Sequence, residues 1–377
     1  MIINVDKESL LKSINIADSV ISSKNINTIL ANCLFHVDKN ELEILSTDNE
    51  IAVRTKINVV SDSSESFTAN GKKFSNIIKE LPNDELVIEV NESFRIDIKS
   101  KAKELKGHYT LFGTTTDEYP EIPDFKDENS VELDQAVLKE TLKKVIYAAS
   151  TDTVKPVFNG IFLTADHEGT MTAVATDSRR LSKITRAIDN KIDFENGIII
   201  PLKTVNEVYR LLDIKGKCRF SFLKNQCFFK INNTVIISRI VDGQFPNFSQ
   251  VIPKEFAFEA VIQTRKFHDA VKRAMIFTRE PANKIVLHFS ENHLLIQAST
   301  PELGEAEEEL DIKSSGKNKI SLGLNALFLS EALREIDSDS IRCGITGQMS
   351  PVTLQPENDS NYVSVIMPIQ IKTAQSE

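Results

Sequence analysis

Three segments of the chain alternate apolar and polar residues on both sides of a short polar loop. They span residues 31–48, 158–177 and 283–300. A period of two is typical of paired, half-buried strands, so we predict three β-hairpins. The positions predicted to be equivalent are Asn32, Asn159 and Asn283 near the start of each hairpin, and Thr47, Thr176 and either Ser299 or Thr300 at its end.

Each predicted hairpin lies between two stretches with the spacing of an amphipathic helix. The upstream stretches are 10–22, 138–149 and 267–277, and the downstream ones are 73–81, 203–212 and 326–336. A further strand pair follows, ending in an aromatic residue or Met before Pro: Tyr119-Pro120, Phe245-Pro246 and Met367-Pro368. Landmarks that recur in one order, with a period of about 125 residues, indicate a triplicated globular domain.

The order of elements in each repeat predicts an α+β fold with antiparallel sheet and two helices per domain. Polar, proline-bearing connectors near residues 123–129 and 253–255 indicate the domain boundaries. We therefore predict three domains, at residues 1–127, 128–254 and 255–377.

The composition is that of an ordinary soluble protein, with 41% hydrophobic and 26% charged residues. No apolar run is long enough to span a bilayer, and the N-terminus lacks the basic and apolar regions of a secretory signal. A cytoplasmic location and no membrane partner are therefore expected. The cysteines are scattered without a Cys-x-x-Cys pair, so we predict reduced, buried thiols: Cys33, Cys218, Cys227 and Cys343.

No residue pattern in the chain indicates catalysis. The six histidines lack metal-like spacing, and Asn70-Gly71-Lys72-Lys73 is interpreted as a turn before a helix rather than a phosphate loop. The acidic run Glu302–Glu309 lacks the ligand order of a calcium loop, so we interpret it as a solvated strand edge. The sequence thus predicts no enzyme, no cofactor and no metal.

Positive charge is concentrated in the predicted helices, although the formal net charge of the chain is −9. Solvated helix faces explain any single helix, but recurrence in most of them favours a common face that meets a polyanion. Aromatic residues that would stack on single strands are absent from these helices, so duplex DNA is favoured. A second signal is apolar: residues 175–181, 245–248 and 362–369 indicate packed core for the most part, with a groove for partner peptides as the alternative at 367–369.

The chain resembles the bacterial sliding clamps, the beta subunits of DNA polymerase III, over nearly its whole length. The resemblance is carried by Asn159-Gly160, by residues 174–181, 241–246 and 305–309, and by 362–369. It implies a head-to-tail homodimer whose six domains form a ring around double-stranded DNA, without sequence specificity. It also implies a groove that takes short linear motifs from the polymerase, the clamp loader and repair proteins.

Matching the family position by position assigns residues to both surfaces. The groove would use Phe158, Thr176, Ser178, Arg180, Leu181, Pro246, Val251, Phe328, Val365, Ile366, Met367, Pro368 and Ile369. DNA would be contacted by Lys24 and Lys72, and the basic helices add Lys143 and Lys203. Two departures concern the groove: Ser178-Arg179 stands where relatives often have Gly-His, and Lys372–Glu377 extends past their usual end.

Two other functions compete with the clamp hypothesis. An enzyme could use Arg179 and Arg180 as an anion site, although no nucleophile and base are paired in the sequence. A peptide-binding adaptor could use the groove without ever meeting DNA. The residues themselves leave both alternatives open.

Overall fold

The computed structural model describes residues 1–21, 28–102, 107–189, 194, 196–223, 225–315 and 319–371. The chain divides into two compact units. The first contains Met1–Ala136 with Asn206–Ile240, and the second contains Val137–Val205 with Val241–Glu377. The middle of the three sequence repeats is therefore shared between the units, and each unit holds one junction between neighbouring repeats.

Each repeat follows the same order of strands and helices. The first has β1 (Ile2–Asp6), α1 (Lys7–Asp18), β2 (Asn32–Asp38), β3 (Glu41–Thr47), β4 (Ile51–Asn58), β5 (Val60–Ser61), β6 (Ser66–Asn70), α2 (Gly71–Glu80), β7 (Glu85–Val90), β8 (Arg95–Ser100) and β9 (Tyr109–Phe112). The second has β10 (Val131–Asp134), α3 (Gln135–Ile146), β11 (Gly160–Ala165), β12 (Thr170–Thr176), β13 (Arg180–Ala187), β14 (Ile198–Pro201), α4 (Leu202–Leu211), β15 (Lys217–Leu223), β16 (Gln226–Ile231) and β17 (Thr234–Arg239). The third has β18 (Phe258–Gln263), α5 (Thr264–Met275), β19 (Lys284–Ser290), β20 (His293–Thr300), β21 (Gly304–Asp311), β22 (Lys313–Ser314), β23 (Ile320–Asn325), α6 (Ala326–Arg334), β24 (Ser340–Ile345), β25 (Val352–Pro356) and β26 (Tyr362–Ile366).

The strands form antiparallel sheets within each unit. The first unit has a five-stranded sheet, β5-β1-β7-β8-β9, and an eight-stranded sheet, β10-β15-β16-β17-β4-β3-β2-β6. The second unit has a nine-stranded sheet, β14-β11-β12-β13-β26-β25-β24-β18-β22, and a four-stranded sheet, β21-β20-β19-β23. The predicted α+β fold, the three hairpins and the helix pair of each repeat are confirmed.

Sheet register corrects one of the predicted equivalences. The last strand residue before the second helix of each repeat pairs with Asn32, Gly160 and Lys284 respectively. Asn159 and Asn283 therefore lie one position earlier than Asn32, and the prediction that the three asparagines are equivalent was wrong. Backbone pairing decides the alignment, and a shared side-chain type one residue away does not change it.

The same register resolves the choice at the hairpin ends. Following the pairs across each hairpin makes Ser299, rather than Thr300, equivalent to Thr47 and Thr176. One step further, Ala52, Leu181 and Glu305 occupy one equivalent position on the next strand.

Each repeat ends with an isolated antiparallel bridge. These bridges correct a second predicted equivalence, that of the three residue pairs ending in Pro. The bridges are Thr68–Thr114, Ile199–Val241 and Gly323–Ile369. Tyr119-Pro120 and Phe245-Pro246 follow their bridge residues, whereas Met367-Pro368 precedes Ile369. The Met-Pro pair is therefore not the equivalent of the other two landmarks and belongs to a differently shaped end of the third repeat.

Side-chain caps set where several helices begin. The carboxylate of Asp6 accepts the backbone N–H of Ser9 at 2.8 Å, and this hydrogen bond holds the pKa of Asp6 below its usual value. Asn70 accepts the N–H of Lys73 at 3.0 Å at the start of α2. The sequence Asn70-Gly71-Lys72-Lys73 is thus a helix start, as predicted.

The core of the first repeat lies between the two helices and the inner faces of its sheets. Phe35 stacks on Phe67 with ring centroids 4.8 Å apart and contacts Phe74 of α2 at the same distance. Leu10 and Ile14 of α1 are fully buried against this cluster. Each helix turns one apolar face to this core, and each strand turns alternate side chains to it. The hydrophobic periods of the sequence therefore predicted both kinds of element.

None of the helices in the described ranges has the length and apolar character needed to span a bilayer.

All of the cysteines are buried free thiols, as predicted. Burial raises the pKa of Cys218, Cys227 and Cys343 to about 12, and raises the pKa of Cys33 as well. We therefore expect Ellman's reagent to modify none of them in the native protein at mildly alkaline pH, and all of them after denaturation. Rapid modification of any thiol in the native protein would contradict this burial.

Candidate functional site

Two sheets run through a junction between neighbouring repeats. In the first unit β4 pairs with β17, placing Ala52 opposite Ile237. In the second unit β13 pairs with β26, placing Leu181 opposite Val365. Because these residues hold equivalent positions in their repeats, the strands pair in the same register at both junctions.

The second junction carries an apolar cleft of about 230 Å³. It lies where β13 and β26 meet the segment after β17, and its lining residues are Phe158, Thr176, Ser178, Arg180, Leu181, Phe245, Pro246, Phe248, Val251, Val365 and Met367. Val251 and Met367 remain 40% and 37% exposed, so apolar side chains stand open to solvent at the mouth. Concave, mostly apolar sites with a few polar groups are typical of ligand pockets.

Most residues predicted for the groove line this cleft, but Phe328, Ile366, Pro368 and Ile369 do not. Ile366 alternates with Val365 along β26 and is fully buried in the sheet. Ile369 donates its N–H to the carbonyl of Gly323 at 2.8 Å. Phe328 is not in the lining, but its ring centroid lies 4.3 Å from the guanidinium of Arg180, which is. The roles of these four residues in the groove therefore stay a prediction.

Two lining residues were missed, Phe245 and Phe248. The ring of Phe245 stacks on Phe162 at 4.8 Å between centroids, and Phe248 lies 6.2 Å from the same ring. The signal is present in the sequence as Phe245-Pro246-Asn247-Phe248, an apolar run for which core packing is the simpler interpretation. The two rings have both roles: they pack in one apolar cluster with Val174 and Val363, and they also line the cleft.

A tight loop shapes the polar corner of the cleft. The side chain of Asp177 accepts the N–H groups of Arg179 and Arg180, each at 2.9 Å. The hydroxyl of Thr176 donates to the carbonyl of Arg180 at 2.6 Å. Ser178 adopts a left-handed conformation with φ 76°, which is the conformation that favours glycine. This geometry would suit glycine at position 178, the residue that the family resemblance leads one to expect there.

The first junction has a matching but smaller cleft, of about 120 Å³. Where the second junction has Leu181 and Met367, the first has Ala52 and Arg239. One fold position therefore presents a large apolar surface in the second unit and a short or charged one in the first. The difference is in side chains and not in backbone pairing.

The predicted DNA-contacting residues lie on exposed helix faces where the structure describes them. Lys72 of α2 has a 73% exposed side chain and lies 3.8 Å from Asp18. Lys143 of α3 is 43% exposed, 3.7 Å from Glu335, and Lys203 is exposed in the first turn of α4. Lys24 lies outside the described residues, as does the extension Lys372–Glu377.

Lys144 does not belong with the exposed cations, although it follows Lys143 in the same basic helix. It is 4% exposed, and its ammonium group donates to Asp337 at 2.5 Å and to the carbonyl of Glu335. Lys144 therefore ties α3 to the end of α6 and is structural.

The histidines have hydrogen-bonding partners rather than metal geometry. His288 contacts Ser321 at 2.7 Å and Gln297 at 2.8 Å, and His268 contacts Ser330 at 3.0 Å. Across the described ranges no group of three His, Cys, Asp or Glu side chains could hold a metal ion. Four glutamates of the acidic run lie in the edge strand β21, where Glu305, Glu307 and Glu309 are exposed, as predicted, while Glu308 pairs with Arg273 at 2.6 Å.

Family models for the N-terminal, central and C-terminal domains of the DNA polymerase III beta subunit match residues 1–123, 132–247 and 249–370. The chain belongs to this family. The beta sliding clamp of Halalkalibacterium halodurans is 27% identical over 380 residues, covering 97% of this chain and 98% of that protein. The sliding clamp structure from Bacillus subtilis has a TM-score of 0.93 at 24% identity, covering 98% and 99% of the two chains. A Pseudomonas aeruginosa clamp structure, solved with a ligand, has a TM-score of 0.89 at 26% identity, covering 98% and 100%.

The chain is thus a DNA sliding clamp of the DNA polymerase III type, with the three-domain clamp fold. Sliding clamps are non-catalytic processivity factors, so the enzyme hypothesis was wrong. Their partnership with DNA also contradicts the adaptor hypothesis.

Proposed function

We propose that two copies of this chain close head to tail into a ring around duplex DNA in the cytoplasm. Three domains per copy, at residues 1–127, 128–254 and 255–377, would supply six around the ring. The support comes from the sheet edges. Among the described strands β9 pairs only with β8, and β21 pairs only with β20.

In the other repeats, the strands equivalent to these two edges pair with each other at both junctions within the chain. Position by position, β9 is the equivalent of β17 and β26, and β21 is the equivalent of β4 and β13. Repeating the junction between copies puts Thr110 opposite Glu305. A head-to-tail pairing of unlike edges closes into a ring when the rotation per domain fits.

The register also predicts the apolar contact at this third junction. The N–H of Arg239 donates to the carbonyl of Glu50 at 2.9 Å, and that of Met367 donates to Arg179 at 2.8 Å. The equivalent pair between copies is Phe112 and Leu303. Phe112 is 79% exposed and Leu303 49% exposed, which is large for such side chains. Strand addition would cover both.

The cleft of the second unit is proposed to bind short linear motifs from the polymerase, the clamp loader and repair proteins. The observation that supports this is its chemistry: exposed Met367 and Val251 beside buried Leu181 and Val365, in a concave site. Methionine adapts to varied apolar partners, which suits a site shared by several proteins.

DNA is proposed to meet Lys72, Lys143 and Lys203 on the exposed helix faces, and also Lys24, which lies outside the described residues. Such contacts reach phosphates and carry no sequence information. Because a closed ring holds DNA by topology, each contact can be weak and mobile. The net charge of −9 would then lie mainly on other surfaces and discourage adhesion of DNA from outside.

Retention on DNA tests the ring directly. Clamp loaded onto a nicked circle is expected to stay bound through gel filtration, and to be lost when the circle is cut to a linear form. Equal retention on both forms would contradict encirclement.

Neutralising Lys72, Lys143 and Lys203 together, each to Ala, is expected to weaken direct DNA association and to reduce its dependence on salt. The slope of log affinity against log salt is negative, and it becomes shallower by about 0.9 for every phosphate that is no longer neutralised by a lysine. The measurement is anisotropy of labelled duplex DNA over a salt series. As a control, Lys99→Ala removes an exposed lysine on β8 that is paired with Glu89 at 3.1 Å. An equal effect of the control would contradict the assignment to helix faces.

A further inference from the structure

The polar corner of the cleft is built around one guanidinium group, that of Arg180. Its Nε donates to Asp177 at 2.9 Å, and a terminal N–H group donates to Glu331 of α6. The guanidinium lies 4.3 Å from the ring centroid of Phe328 and 5.6 Å from that of Tyr147. With the side chain 11% exposed, the group is held on its edges and its faces before any peptide arrives.

The negative charges at this corner outnumber the positive charge of Arg180. Two carboxylates contact one guanidinium, and Asp177 and Glu331 are only 15% and 26% exposed. Charges this close and this little exposed are weakly screened by solvent, so each carboxylate offsets a large part of the attraction that the guanidinium would exert on an incoming anion. An acidic side chain approaching Arg180 is therefore attracted by one group and repelled by two.

We propose that Glu331 is a specificity-determining residue of the groove. By compensating the charge of Arg180, it makes the site select peptides by their apolar side chains and shape, without an acidic anchor. This inference rests on the proposed function of the groove. Glu331 does not line the cleft and acts only through Arg180, so nothing in the sequence pattern indicated it.

Other cations near the cleft determine how the inference must be tested. Lys155 lies 5.8 Å from the ring centroid of Phe158, and Lys183 lies 6.0 Å from that of Phe248. Arg179 is exposed on the same loop as Arg180. These groups attract an acidic peptide equally in the wild type and in a Glu331 variant. Only the difference between the two proteins reports on Glu331.

The experiment compares matched peptides by fluorescence anisotropy. A labelled peptide from the polymerase is varied at each position in turn to Asp and to the isosteric Asn, and both are titrated with wild type and Glu331→Gln. At the peptide position that lies nearest Arg180, the ratio of Asp to Asn affinity is expected to be about fivefold higher for Glu331→Gln than for the wild type at low ionic strength. The reason is that the variant lacks the negative charge of Glu331, which repels the Asp peptide. The gain should shrink in roughly 0.5 M salt.

Two further variants make the result specific. Glu140→Gln is the matched control, because Arg186 is also held by two carboxylates, Glu140 and Asp359, each at 2.7 Å, and does not line the cleft. Its Asp to Asn ratio should equal that of the wild type. Arg180→Gln leaves Asp177 and Glu331 without their cation, and should shift the ratio towards Asn.

The outcomes separate the two proposals. Peptide binding with the same Asp to Asn ratio in wild type, Glu331→Gln and Arg180→Gln would overturn the role of Glu331 while leaving the groove intact. A wild type that binds no polymerase peptide at all would overturn the groove itself, and the role of Glu331 with it.

Discussion

Replacing Met367 and Leu181 together by alanine is expected to weaken binding of a polymerase-derived peptide by about 2 kcal/mol or more, roughly thirtyfold. Met367 is half open at the mouth of the cleft, and Leu181 is 4% exposed at its base. Both would be covered by a bound apolar side chain. Truncation removes apolar surface at the mouth and at the base of the cleft, and calorimetric titration measures the resulting loss of affinity.

Stability has to be separated from affinity in this double variant. Leu181 belongs to a buried cluster with Val174 and Val365, so its truncation also costs folding free energy, about 2 to 5 kcal/mol for a fully buried leucine. Thermal unfolding of each variant should therefore accompany the titration. Met367→Ala alone has little effect on the core, and this single variant should still show part of the affinity loss.

The first junction supplies a control of the same geometry. Ile237→Ala with Arg239→Ala changes the positions equivalent to Val365 and Met367, in the unit that lacks the large apolar cleft. We expect the affinity for the peptide to stay within about twofold of the wild type. Unchanged affinity in the Met367 and Leu181 variant, or an equal loss in the control, would refute the assigned groove.

Phe112→Asp and, separately, Leu303→Asp are each expected to dissociate the proposed dimer. A carboxylate placed in an apolar, strand-paired interface loses its hydration without gaining a partner. We expect the dissociation constant to rise at least a hundredfold, about 3 kcal/mol. Light scattering should then report the mass of one chain at concentrations where the wild type has the mass of two.

The dimer prediction also has a matched control and a functional consequence. Val154→Asp makes the same change at a side chain that is 80% exposed but belongs to the loop between α3 and β11, not to β9 or to the start of β21. It should remain dimeric. The two interface variants should lose retention on circular DNA even though the lysines of their helices are unchanged. A Phe112→Asp protein that keeps the mass of two chains would show that β9 is not the contact.

The sequence by itself determined the repeat, the fold class and the family. Hydrophobic periods of 2 and 3.6 residues depend only on which positions face a core, so the hairpins around Phe35, Leu163 and Leu287 could be predicted without coordinates. The position-by-position match also named most of the cleft, including Leu181, Val365 and Met367. These residues are close in space because β13 and β26 pair.

Only the tertiary structure decided the rest. Register, set by backbone pairing across distant segments, moved Asn159 and Asn283 out of line with Asn32. Burial separated Lys144 from its neighbour Lys143, although the two are adjacent in one basic helix. Glu331 meets Arg180 across 151 residues of chain. A local pattern reports which face of an element is apolar, but it does not carry the position of a charge on another element, and that position sets the electrostatics of a site.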